Sequence, residues 1–257
     1  MLETLLVAIA GFVGGFVSTL ASNGSAITLP ALEFFGLPEH TANGTNRLSV
    51  IALGLIGTIS FYREGLIDWR KSGWIAVLIA LGTTMGSFIA IDLSGAILNA
   101  IVITGLLLVL GLLLVRPGRW IEGKEGTLRP LGWGQVVAYF AIGIYAGLVV
   151  LGSGFFMLAA LVLLTGCDLR QGNAMKSSIL LVVGLQSLLI FDEAHEVSWT
   201  AGIPLALGSA AGAYVAAQLA TKAWARVWVY RFLVLLVVLA IVHLITIVDP
   251  EKFLQHA

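Results

Sequence analysis

Charge is what this chain has least of. Only 11% of its 257 residues are Asp, Glu, Lys or Arg, about half the share usual in soluble domains. The 14 basic and 14 acidic residues cancel, so no basic field exists to attract nucleic acid. One cysteine, Cys167, excludes an internal disulfide and a cysteine-built metal cluster. The four histidines, His40, His195, His243 and His256, lie far apart and read as ordinary polar or packing residues. Polar stretches are scarce as well. The longest, Arg116 to Pro130 ("RPGRWIEGKEGTLRP"), is too short for a soluble domain and reads as a linker. No nucleotide loop, zinc motif or nucleophile–base constellation is visible, so neither an enzyme nor a cofactor is expected. The opening "MLETLLVAIAGFVGG" carries an acid where a cleavable signal peptide carries basic residues, and is expected to continue into the fold.

What fills the chain instead is apolar. Hydrophobic residues make up 59% of it and the mean hydropathy is +1.00, which together with the low charge reads as an integral membrane protein. Runs of about 20 residues suit helices crossing a hydrocarbon core of about 30 Å, not the alternating strands of an outer-membrane barrel. In order they are Leu2–Leu20, a short Ile27–Phe35, Leu48–Tyr62, Trp74–Ile91, Ile97–Val115, Trp133–Leu151, a short Phe155–Leu164, Ile179–Phe191, Ile203–Leu219 and Val227–Val248. The order long, short, long, long, long occurs twice.

A shift of 130 positions superposes the two passes. Gly24 meets Gly154, Gly36 meets Gly166, Asn43 meets Asn173, Gly54 meets Gly184, Phe61 meets Phe191 and Trp69 meets Trp199. After a four-residue change of offset, Gly82/Gly86 meet Gly208/Gly212, with the small-xxx-small spacing that lets helices approach. The expectation is an N-terminal repeat over 1–116, a cytoplasmic linker over 117–130 and a C-terminal repeat over 131–257. Basic clusters at Arg63/Arg70/Lys71, Arg116/Arg119/Lys124/Arg129 and Lys222/Arg226/Arg231 alternate along the chain with acids at Asp92, Asp192/Glu193/Glu196 and Asp249/Glu251. With the basic ends cytoplasmic, both termini fall outside, and the two long-short pairs become hairpins entering from opposite faces. The predicted fold is all-α, with two inverted-topology repeats, each a broken, re-entrant hairpin plus three transmembrane helices. Trp69, Trp74, Trp120, Trp133, Trp199, Trp224 and Trp228 fall at predicted span ends, as an aromatic belt does.

Two polar sites recur in both repeats. "SNGS" (Ser22–Ser25) and "LGSGF" (Leu151–Phe155) become hairpin tips near the bilayer midplane, where unwound backbone survives only if buried or lining a cavity. A helix that starts there offers free N–H groups to an anion. This makes Asn23, Gly24 and Ser25, and Gly152, Ser153 and Gly154, candidate substrate-binding residues. Just beyond, "TANGTNRLS" (Thr41–Ser49) and "RQGNAMKSS" (Arg170–Ser178) each start a helix with an Asn and follow it with a cation. Asn43, Asn46 and Arg47, and Asn173 and Lys176, add amides and positive charge suited to a small oxyanion. The competing reading has Arg47 and Lys176 snorkelling to the interface as anchors. Glu33 reads as an interfacial carboxylate and Gln186 as a helix–helix contact.

The Gly-rich break, the proline-bearing short run, "GLPEHTANGTNRLS" (Gly36–Ser49), "SFYREGLIDWR" (Ser60–Arg70) and the "GTTMGS" helix together resemble the TauE/SafE sulfite-exporter family. The resemblance covers nearly the whole chain. It implies a multi-pass protein of a bacterial or archaeal plasma membrane that moves sulfite, organosulfonates or a related anion, usually outward. Its Gly-rich breaks map to Asn23–Ser25 and Gly152–Gly154, and its "A-x-G-T-N-R" segment to Ala42–Arg47. "SNGSA" stands here in place of a run of three glycines. The expected function is a secondary carrier of a small anion working by alternating access, with a proton or sodium ion as candidate coupling partner. An anion-selective channel and a non-transporting membrane scaffold are the alternatives.

Overall fold

The computed structural model describes residues 2–22, 24–93, 132–149 and 151–220, together with Pro130 and isolated positions between 97 and 111 and between 231 and 238. Asn23, both termini, most of the expected linker 117–130 and most of the run Val227–Val248 lie outside the described residues, as do Trp120, Trp224 and Trp228. Among the described residues the chain is helical and contains no strand. Eight helices are delimited: α1 (Leu2–Ala21), α2 (Ser25–Phe34), α3 (Glu39–Arg63), α4 (Trp69–Asp92), α5 (Trp133–Leu148), α6 (Ser153–Ala160), α7 (Leu169–Glu193) and α8 (Trp199–Ala220). A wider π turn, Leu161–Thr165, extends α6.

Local chemistry places these boundaries. Asp68 starts α4 by accepting the Lys71 amide at 3.0 Å, and Asp168 starts α7 by accepting the Gln171 amide at 2.7 Å. Pro38, extended at φ −56° and ψ 151°, precedes α3. These starts correct the sequence reading, which began the third and eighth runs at Leu48 and Ile179. α3 and α7 begin at Glu39 and Leu169, more than two turns earlier, so Asn43, Arg47, Asn173 and Lys176 stand inside helices rather than at their first turns. The short runs shift as well: Ser25, Ser153 and Gly154 belong to the first turns of α2 and α6, not to the breaks before them.

Four helices are long and apolar enough to cross a membrane: Leu2–Leu20, Trp69–Ile91, Leu169–Glu193 and Trp199–Leu219. Helices α5 and α6 are apolar but shorter. They form a hairpin closed at its base, where Gln135 Nε2 donates to the Leu164 carbonyl at 2.8 Å and the Tyr139 and Thr165 hydroxyls lie 2.5 Å apart. α1 and α2 fold back likewise, with Val7 and Leu32 in one apolar cluster and Gly14 against Thr28.

Glycine sets the closest crossings. Gly11 and Gly15 of α1 face Gly208 and Gly212 of α8; a Cβ on Gly15 would lie 2.2 Å from the Ser209 carbonyl oxygen, and one on Gly212 would lie 1.9 Å from that of Phe12. Gly82 and Gly86 of α4 face Gly143 and Gly147 of α5 in the same way, with a Cβ on Gly86 only 2.1 Å from the Ile144 oxygen. The expected close approach at Gly82/Gly86 and Gly208/Gly212 is therefore present, and each pair meets a second small-xxx-small pair that the sequence reading did not single out. α3 and α7 cross at the centre, where Gly54 rests on Leu181 and Gly184 on Ile51.

The 130-residue offset carries into this geometry. α3 and α7 are both 25 residues long and start and end 130 positions apart. Gly36 and Gly166 both take left-handed backbone, at φ 86° and 85°, as do Gly65 and His195 at 67° and 59°. Phe61 and Phe191 are both fully buried. Trp69 and Trp199 both open the following helix and are half exposed, alongside exposed Trp74 one turn further into α4 and exposed Trp133 at the start of α5.

Candidate functional site

The two predicted tips meet. A Cβ on Gly154 would lie 2.7 Å from the Ser22 carbonyl oxygen and 3.3 Å from its Cβ, so the first turn of α6 rests on the turn between α1 and α2. Each turn needs unusual backbone. Ser22 has φ 61° and Gly152 has φ 79°, the left-handed region that favours glycine. Gly24 is tightly held too, since a Cβ there would lie 2.0 Å from the Gly14 oxygen. Ser153 is buried as the first residue of α6 and Ser25 half-buried as the first of α2.

The two predicted cations are buried in full, Arg47 at 2% exposure and Lys176 at 0%, so neither snorkels to an interface. Each reaches the end of a helix in the other half of the chain. Arg47 donates from Nη1 to the Ala146 carbonyl at 2.8 Å and from Nη2 to that of Gly147 at 3.1 Å. Asn43 Nδ2 donates to Leu148 O at 3.3 Å, and the Val149 amide returns to Tyr145 O at 2.9 Å. All four terminal carbonyls of α5, which its own helix leaves unpaired, thereby find donors. A cation there also complements the partial negative charge of the helix end. The guanidinium carbon sits 5.1 Å from the Phe191 ring centroid, and Nε has no partner.

Lys176 does the reciprocal work at α1. Its Nζ donates to the Ser18 carbonyl at 3.0 Å, to Ser22 Oγ at 2.7 Å and to Asn173 Oδ1 at 2.8 Å, using all three ammonium protons. The two cations are therefore alike in task but not in position, because Lys176 aligns with Asn46 and not with Arg47. Asn46 differs in kind. Its Oδ1 accepts from Thr28 Oγ1 at 2.7 Å, while its Nδ2, on a side chain 1% exposed, has no partner. Gln186, expected as a helix contact, donates to Thr84 Oγ1 on α4. Glu33 is exposed near the end of α2, in keeping with an interfacial carboxylate.

The structure thus gathers Gly154, Asn173 and Lys176 around Ser22, sets Asn43 and Arg47 at the end of α5 just before Gly152, and holds Asn46 against α2. Sequence reasoning missed Ser18, Thr28, Phe191 and the carbonyls of residues 146–148. Ser18 and Thr28 each stand one helical turn from a residue of the quoted break, a spacing that could have flagged them. The carbonyls carry no sequence signal.

Comparison with known proteins gives the family. Residues 7–244 match the family described as Sulfite exporter TauE/SafE. The chain belongs to that family. It is similar to a probable membrane transporter protein of Haemophilus influenzae, 30% identical over 210 residues that cover 81% of this chain and 82% of that one. It is also similar to a probable membrane transporter protein of a Sinorhizobium species, 26% identical over 220 residues (85% and 84%), and to one of Escherichia coli K12, 25% identical over 223 residues (85% and 82%). No solved structure matches it. With four helices apolar enough to span, this member of the TauE/SafE family is a multi-pass membrane protein of a family of probable transporters.

Proposed function

We propose that this protein is a secondary transporter that moves a small sulfur-containing oxyanion, such as sulfite or an organosulfonate, outward by alternating access. In this reading the halves 1–116 and 131–257 are inverted repeats, joined by a cytoplasmic linker and rocking about a shared midplane site in the inner membrane. Gly24 and Ser25 from one tip and Gly152, Ser153 and Gly154 from the other line that site, with Asn43, Asn46, Arg47, Asn173 and Lys176 around it. Asn23 belongs to the same tip by sequence. A proton or sodium ion is the candidate coupling ion.

One observation carries the proposal. Buried Lys176 bonds Ser22 where the tips meet and buried Arg47 holds the end of α5 that leads into the second tip, whereas no Asp or Glu is among the buried residues with described side chains. Each helix C-terminus supplies only about half a negative charge, so a substrate anion adds the charge that the protein withholds. The test is thermal unfolding of the purified full chain in detergent against sulfite, methanesulfonate, thiosulfate, sulfate and acetate. A true substrate at a hundred times its Kd stabilises the fold by about 2.7 kcal/mol. Indifference to every anion would reject the reading.

A further inference from the structure

We infer that the first turn of α2 and the Asn46 amide form the oxyanion-contacting cradle of this site, so that the substrate is held by neutral donors while Arg47 and Lys176 hold helix ends. The inference rests on the anion-transport reading and names which atoms of that site touch the ligand.

Two independent observations converge on this place. The first is the start of α2. Its earliest backbone bonds are those of the Ile27 and Thr28 amides to Gly24 O, at 2.9 and 3.1 Å, so the Ser25 and Ala26 amides precede the hydrogen-bonded ladder. The helix is ten residues long, and its start carries partial positive charge. The second is Asn46. Thr28 lies in that first turn, and its hydroxyl binds Asn46 Oδ1 at 2.7 Å, which places the amide against the start of α2. The Nδ2 of the same amide is buried and without an acceptor. A buried donor left unpaired in a membrane protein is costly. A ligand oxygen relieves that cost.

The terminal nitrogens of the two cations do not compete for this role. All three protons of Lys176 are committed to Ser18, Ser22 and Asn173, and both terminal nitrogens of Arg47 are committed to α5. The position aligned with Asn46 in the second half is Lys176, whose donors are spent. The two halves are thus unequal at this aligned position, where Asn46 keeps an unpaired donor and Lys176 does not. A cradle of donors without an acceptor selects an ionised oxyanion, whose oxygens only accept, over a protonated acid or an alcohol.

Isothermal titration of the full-length protein in detergent with sulfite and with methanesulfonate tests this. Asn46→Leu removes the free donor and leaves the Thr28 hydroxyl with Gly24 O, 3.4 Å away, as its acceptor. The expected result is a loss of affinity of roughly ten- to a hundredfold, the equivalent of one hydrogen bond to a charged group, with an unliganded Tm equal to or above that of wild type. Asn46→Asp keeps the shape and the bond to Thr28 but replaces the donor with a negative charge; it is expected to abolish binding of both anions. Wild-type affinity in a folded Asn46→Leu or Asn46→Asp protein would overturn the cradle and leave the transport reading standing. Absence of binding to the wild-type protein would overturn both.

Discussion

Replacing Arg47 by Met separates a structural cation from a substrate-binding one. The substitution keeps an apolar stem and removes the two donors that Ala146 O and Gly147 O use, at 2.8 and 3.1 Å. Gly147 O keeps only a long contact of 3.5 Å from Ser87 Oγ, and Ala146 O is left alone at a helix end buried between halves. Each orphaned carbonyl costs about 1–3 kcal/mol. Relief from burying a guanidinium with no carboxylate partner offsets part of that, so the net destabilisation is expected near 2–4 kcal/mol. Arg47→Lys keeps the charge but, as a point donor, does not span two carbonyls in a fixed fork, and should lose about half as much. The assay is reversible unfolding in mixed micelles with increasing denaturing detergent, followed by tryptophan fluorescence. An Arg47→Met protein within about 0.5 kcal/mol of wild type, the scatter of a surface substitution, would refute the capping argument.

Three further outcomes follow from other parts of the molecule. Gly212→Val places a side chain where a Cβ would already lie 1.9 Å from Phe12 O, and should abolish monodisperse protein on size exclusion, whereas Gly73→Ala, with open space around it, should be neutral or stabilise by up to about 1 kcal/mol. Lys176→Met removes the bridge from Asn173 to Ser18 and Ser22 that orders the tip and should weaken sulfite binding about tenfold, or about 1.4 kcal/mol; equal affinity would show that tip geometry does not depend on this cation. A periplasm-active phosphatase fused at the C-terminus should be active under the proposed topology, in which the basic clusters face the cytoplasm and both termini lie outside, and a reporter active only in the cytoplasm would reverse that topology.

The repeat was legible because it leaves periodic marks that geometry must respect. The Gly36/Gly166 and Gly65/His195 positions occupy left-handed turns, and the Phe61/Phe191 pair is buried. Helix starts were less legible. Asn, Thr, Lys and Arg inside "TANGTNRLS" and "RQGNAMKSS" lower the apparent hydropathy, so a reading based on apolar runs begins α3 and α7 too late. In the fold Asn43, Asn46, Arg47, Asn173 and Lys176 are buried and bonded within the protein, which lets the helices continue through them. The positions of the cations were anticipated, but their bonding was not. Arg47 and Lys176 find backbone carbonyls that belong to whichever helix ends nearby, and no side-chain pattern encodes that meeting. Asn46 carries the opposite lesson. It was singled out as one amide among several, and only the placement of Thr28 reveals that half of it is unpaired.

Counterflow of radiolabelled sulfite in proteoliposomes tests the central claim most directly. Vesicles preloaded with unlabelled sulfite and carrying wild-type protein should accumulate label transiently and saturably. Gly154→Val, whose Cβ alone would lie 2.7 Å from Ser22 O, should abolish that accumulation while the protein remains folded. Label entry that rises linearly with concentration, needs no preloaded sulfite, or proceeds unchanged in a folded Gly154→Val protein would contradict a carrier whose single site is built where the two tips meet.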